Sequence, residues 1–123
     1  MKKKLILGTA NLNSKYGQLN NVLNIKDFKK CQKLLIKNNF KHIETSFKYK
    51  NSNKLIQKLV SPGFSLTIKS NLSKPEIEKI KKFKKNLINC VMIHDPDLLF
   101  KKKGEEIYKI LENLKREKFC KNI

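Results

Sequence analysis

Four short apolar runs, each followed by a segment of helical period, set the limits on how this chain folds. Residues 4–8 (KLILG), 42–45, 64–69 and 87–94 have the length and composition of strands. The first helical segment, 27–38, puts Phe28, Cys31, Leu34 and Leu35 on one face. The second, 53–60, points Leu55, Ile56, Leu59 and Val60 inward. A third opens at Ser73 and continues through Ile77, Ile80 and Phe83; the fourth, 105–118, turns Ile107, Ile110, Leu111 and Leu114 inward. Strand and helix alternating four times predict a parallel α/β sheet with right-handed crossovers.

The punctuation agrees with this order. Asn24 and Asp27 offer the first helix a cap and an early acid, and Asn39 ends it. Ser52 is placed to cap the second helix, which Ser61-Pro62-Gly63 breaks. Ser73-Lys74-Pro75-Glu76 has a cap serine, an early proline and a glutamate three residues on. Residues 10–24 read as a long loop and Asp95-Pro96-Asp97 as a turn. The run 87–94 is nearly all apolar, as expected of a strand covered on both faces. Residues 119–123 read as the approach to a fifth strand, and no repeat or linker divides residues 1–123.

A doubly wound nucleotide-binding sheet calls for a glycine-rich turn after its first strand. Here that turn, Gly8-Thr9-Ala10-Asn11, has one glycine, and no G-x-x-x-x-G-K-S/T stretch occurs. Four such strands form an open sheet or a parallel (β/α)4 unit, one half of a TIM-type (β/α)8 barrel, and the phosphate-loop form of the first is a poor fit. The chain has 123 residues, whereas a whole barrel takes roughly 250. Such a half leaves two strand edges unpaired and part of its inward face uncovered.

The net charge of +19 comes from 29 basic and 10 acidic residues. Arg116 is the only arginine, and asparagine is abundant, as in Asn51-Ser52-Asn53. Lysine- and asparagine-rich, arginine-poor usage is what an AT-rich genome produces; specific phosphate forks call for arginine. Weak polyanion binding at low salt is expected, without a specific nucleic-acid partner. Cys31, Cys90 and Cys120 are far apart and form no C-x-x-C pair, which predicts neither a zinc site nor a disulfide framework but reduced thiols in a cytoplasmic protein. Only four residues separate Lys4 from Thr9, too few for a signal peptide's apolar region or a membrane span.

Polar residues gather at the ends of the strands. Side chains alternate faces along a strand. His42 and Glu44 therefore share one face, as do Thr67 and Lys69, and as do Cys90, Met92 and His94. If those faces point into a barrel, Glu44, Lys69 and His94 crown one rim, and Tyr49, five residues past Glu44, folds back over it. An acid, a phenol, an amine and an imidazole at one rim make a proton-transfer site.

With these residues in place the chain resembles the aldo/keto reductase family, from its first strand to its end. Leu7-Gly8-Thr9-Ala10, with Tyr16-Gly17 and Asn20, resembles the family's opening strand and loop. Residues 43–53 (IETSFKYKNSN) resemble its D-T-A-x-x-Y-G-x-S-E signature, Thr67-Ile68-Lys69 its lysine strand and Met92-Ile93-His94-Asp95-Pro96 its histidine strand. Residues 114–118 resemble the helix end before strand five. The resemblance implies an oxidoreductase that reduces aldehydes or ketones with NADPH. Tyr49 would be the general acid. An unaided phenol near pKa 10 is too weak for that task. Lys69 would lower its pKa as a nearby cation, Glu44 would hold Lys69 charged and in place, and His94 would orient the substrate carbonyl.

Three positions depart from the family pattern: Glu44 stands for its aspartate, Lys50 for its glycine and Asn53 for its glutamate. Much of the family's cofactor contact comes from the second half of its barrel, so no cofactor-binding residue is assigned here. The expectation is a truncated reductase half-barrel with weak or no activity alone. The alternatives are a non-enzymatic half-barrel that pairs with itself or with a C-terminal half, and a basic polyanion-binding protein. Tyr16 and Tyr108 are expected to pack, His42 to find a local partner at the core or rim, and the lysines at 101–103 to form a solvated loop.

Overall fold

The structure, a computed structural model, describes residues 5–16, 21–49, 52–84, 87–101 and 103–123, with only the backbone of 52–54. Lys4, Gly17, Asn20, Lys50, Asn51 and Lys102, and the side chains of Ser52 and Asn53, lie outside the described residues. The chain divides into two compact units, Met1–Ser65 and Leu66–Ile123. Both are α/β, and the strands follow the order β1-β2-β3-β4.

In the first unit, β1 (Leu7–Gly8) pairs in parallel with β2 (His42–Ser46), Leu7 opposite Ile43 and Gly8 opposite Glu44. β1 is shorter than the apolar run 4–8 predicts, since the described Leu5 and Ile6 stand outside it and are exposed. Between the strands runs α1 (Ile25–Lys37). The Asn24 side chain caps it by accepting from the Asp27 N–H, and Asn39 leaves it at φ +61°. After β2 comes α2 (Ser52–Leu59), which buries Ile56 completely.

The buried face of α1 is Phe28, Gln32 and Leu35, which corrects the expected set. Leu34 points outward and is 62% exposed, and Cys31 is half-buried. Gln32 goes inward because both ends of its amide are used. Its Nε2 donates to the Leu59 carbonyl at 3.0 Å, and its Oε1 accepts from the Ser61 N–H at 2.8 Å. The side chain thereby closes the end of α2, where a helix leaves carbonyls without partners.

The second unit holds β3 (Ser65–Ser70) but for its first residue, α3 (Lys74–Lys81), β4 (Ile88–Ile93), a short 3-10 helix at Pro96–Phe100 and α4 (Gly104–Arg116). β3 and β4 are parallel, and Lys69 lies opposite Met92. The predicted capping box at Ser73 is present, and its Ser73 N–H donates to Glu76 Oε2 at 3.3 Å. Where a simple turn is expected after β4, Asp95 caps the 3-10 helix by accepting from the Asp97 N–H at 3.3 Å.

Two further expectations are corrected here. β4 is not covered on both faces: Ile88 and Val91 are buried, Asn89 and Cys90 are half-buried and Met92 is exposed. An apolar run fixes a strand's extension but not how many layers cover it. Tyr108 is exposed on α4 rather than packed, because Leu111 and Leu114 occupy the buried stripe. The approach to a fifth strand is visible. Asn122 bridges Cys90 in parallel, donating its N–H to the Asn89 carbonyl at 2.9 Å and accepting from the Val91 N–H at 3.1 Å.

Candidate functional site

The first unit places Glu44 and Tyr49 together. Along β2, Ile43 and Thr45 are buried, while His42 and Glu44 on the opposite face are half-buried. The strand ends in a turn built on Ser46. Its hydroxyl accepts from the Lys48 N–H at 3.1 Å and its carbonyl from the Tyr49 N–H at 3.2 Å. A short hydroxyl side chain commonly closes such turns. The turn sends Tyr49 back along the strand, where its ring is buried and its hydroxyl donates to Glu44 Oε1 at 3.3 Å.

Tyr16 lies beside this pair. Its ring meets that of Tyr49 edge-on, with centroids 5.3 Å apart and planes at 67°. Sequence reasoning assigned Tyr16 to packing, yet it is 52% exposed. Asn11 organises the loop that carries it, with Nδ2 donating to the Asn21 carbonyl at 2.7 Å and the Tyr16 carbonyl at 3.4 Å. The Tyr16-Gly17 pair of the family-like opening pointed to this loop but not to the ring contact.

The second unit carries the other two predicted residues. Lys69 is the fifth residue of β3, half-buried, and His94 is the residue immediately after β4. The segments that follow them are tied together. The His94 N–H donates to the Ser70 carbonyl at 2.9 Å, and the Asp95 N–H to Asn71 Oδ1 at 3.1 Å. Glu76 Oε2 gathers the Ser70 hydroxyl and the Asn71 N–H, both at 3.0 Å, besides its bond to Ser73. The S-x-x-E pattern foretold Glu76 as a capping residue. That it and Asn71 also order the segments after β3 and β4 had no sequence signal.

Other titratable groups are set by burial. His42 Nδ1 lies 2.7 Å from the Ser65 hydroxyl, and desolvation pushes its pKa below the ordinary value. Burial raises the Cys90 and Cys120 thiols, with the neighbouring Cys90 adding to the effect on Cys120. Among the described residues no group of three or more His, Cys, Asp or Glu could hold a metal ion. No described helix is long and apolar enough to cross a membrane.

Comparison with protein-family models, curated proteins and solved structures finds no match to this chain.

Proposed function

We propose that the chain is the amino-terminal half of an aldo/keto reductase-like barrel and carries the proton-transfer residues of carbonyl reduction. The observation that carries this function is the hydrogen bond that Tyr49, in the turn after β2, donates to Glu44 in the middle of that strand. A carboxylate beside a phenol favours its protonated form, so proton donation there calls for a cation. Lys69 supplies that cation. Its ammonium stabilises the phenolate left when Tyr49 gives its proton to the alkoxide. His94 donates to the carbonyl oxygen and orients it. Lys69 is the fifth of the six residues of β3 and His94 directly follows β4, while Glu44 is the middle residue of β2.

NADPH supplies the hydride when bound. The described residues do not form a cradle for its phosphates: β1 ends on the single Gly8, and the orphaned hydroxyl of Thr9 is closed off from solvent. No residue of this chain is assigned to the cofactor. The expected result with the purified chain is NADPH oxidation little above background across a panel of aldehydes and ketones. Robust turnover lost in Tyr49→Phe would support the site and overturn the half-barrel dependence. Turnover that survives Tyr49→Phe would overturn the site.

A second function is favoured by a separate observation, a half-barrel that serves to pair with another chain. In the first unit Leu5, Ile6, Leu7, Leu34, Leu35 and Phe40 line an open groove of about 360 Å³ beside β1. Apolar surface of this kind at a strand edge is where a partner would be covered. Sedimentation that reports one concentration-independent monomer mass would count against pairing with a second copy.

A further inference from the structure

We propose that the groove between α1 and the segment leading into β1 receives an amphipathic helix of another chain, one whose flanks are acidic. The proposal rests on the pairing function and names the partner's chemistry; carbonyl reduction does not enter it.

The groove is apolar and open. Leu5 and Ile6 enter it from the segment before β1, and Cys31, Leu34 and Leu35 from α1, with Phe40 completing it. Leu34 is 62% exposed, and Leu5 and Ile6 are 52% exposed each. Three large apolar side chains left open on one groove mark an interaction surface, whereas single ones scattered over a protein do not.

Helical spacing explains how α1 faces two ways. Phe28, Gln32 and Leu35 form its buried row. Cys31, Leu34 and Asn38, three and four residues apart, form a second row that lines the groove. A helix laid along this row meets it with an apolar stripe of the same spacing. An added strand gains less there. β1 is two residues long, and so short an edge offers an incoming strand few hydrogen bonds.

Charge decides the kind of helix. Residues 1–65 hold fourteen lysines and two acids, Asp27 and Glu44. Both acids are engaged. Asp27 lies 3.3 Å from Lys30 Nζ and accepts from Asn24 Nδ2 at 2.6 Å, and Glu44 accepts from the Tyr49 hydroxyl. Lys30 and Lys37 stand four residues before and three after Leu34, so they neighbour the open leucine on the helix surface. Glutamates flanking the incoming stripe meet these lysines as flanking charges do in paired helices. A second copy brings lysine against lysine, and a charge of +19 on each opposes their approach. Nucleic acid supplies negative charge but makes no use of leucine and isoleucine side chains in a groove.

The probe is a fluorescein-labelled, hydrocarbon-stapled helix of about 20 residues, with leucines at three- and four-residue spacing and glutamates on both flanks. Its comparators are a scrambled peptide of the same composition and a version with lysine for glutamate. Fluorescence anisotropy at 0.15 M salt, where charge alone binds weakly, is expected to show saturable binding of the acidic helix. Leu34→Ala is expected to weaken the apparent Kd about 10-fold. Ile6→Ala repeats the test from the other side of the groove where circular dichroism shows that Leu34→Ala disturbs the fold. Lys30→Gln with Lys37→Gln is expected to weaken binding about 3-fold. Lys109→Gln with Lys115→Gln, the same loss of charge on α4, should change it by less than about 2-fold. Absence of saturable binding, equal binding of the scrambled or the lysine peptide, wild-type affinity in both apolar variants, or an equal loss from the α4 pair would overturn the proposal. Sedimentation separates this failure from that of pairing itself. A dimer that Leu34→Ala dissolves would keep the pairing function, with a second copy as occupant, and overturn the acidic helix. A concentration-independent monomer that binds none of the peptides would sink both.

Discussion

Gln32 and Thr9 are both buried polar residues, and they have opposite consequences. Gln32 satisfies the Leu59 carbonyl and the Ser61 N–H, so Gln32→Leu leaves two groups at the end of α2 unpaired. A loss of about 1–3 kcal/mol is expected in urea unfolding. Thr9 Oγ1 is buried with no partner among the described residues. Thr9→Val should therefore be neutral or stabilising by up to about 1 kcal/mol in the same assay. His42 gives a pH dependence whose sign follows from its lowered pKa. Between its ordinary value of 6.5 and its lower folded value, the unfolded chain binds the proton and the folded chain does not. Stability thus falls as pH drops below about 7, and His42→Gln should flatten that slope in thermal melts from pH 5 to 8. At this scale the sequence revealed Tyr49 folding back on Glu44 but hid Gln32 and Leu34. Helical spacing names candidates for the buried stripe; which of them go inward depends on the partner the helix meets.

Helix starts were the most legible elements because capping is local chemistry. Asn24 with Asp27, and Ser73 with Glu76, satisfy N–H groups within three residues and need nothing from the rest of the chain. The 3-10 helix after β4 was not legible, since it depends on how closely the start of α4 approaches it. Gly104, at the start of α4, donates its N–H to the Lys101 carbonyl at 2.8 Å, and a Cβ placed on it would stand 2.1 Å from the Leu99 carbonyl oxygen. Gly104→Ala is expected to force these segments apart at a cost of at least about 2 kcal/mol, read as a lower denaturation midpoint. Retention of the wild-type midpoint would contradict the close approach. Glu76→Gln keeps the shape of its side chain but weakens the acceptor shared by Ser70, Asn71 and Ser73. It should cost about 1–2 kcal/mol and speed amide exchange at Asn71 and Ser73. The placement of Lys69 and His94 at strand ends was readable from alternation, whereas the open face of β4 at Met92 was not.

For the whole molecule, the alternation of four strands and four helices was written in the sequence, and the observed strand order follows it. The excess of lysine says little about this order, because charge governs solubility and nonspecific association rather than fold. Its expected effect is binding to nucleic acid that is strong at low salt and lost near physiological salt. Retention of tight binding at 0.15 M salt would favour a dedicated polyanion surface. The central claim is that this chain bears the acid–base residues of carbonyl reduction, and transfer of an isotope label tests it even where steady-state turnover is weak. The concentrated chain is incubated with [4-2H]NADPH and 4-nitroacetophenone, and deuterium in the alcohol product is counted by mass spectrometry. The account predicts deuterium transfer above the protein-free control that disappears in Tyr49→Phe. Transfer by Tyr49→Phe equal to that of the wild-type chain would contradict it.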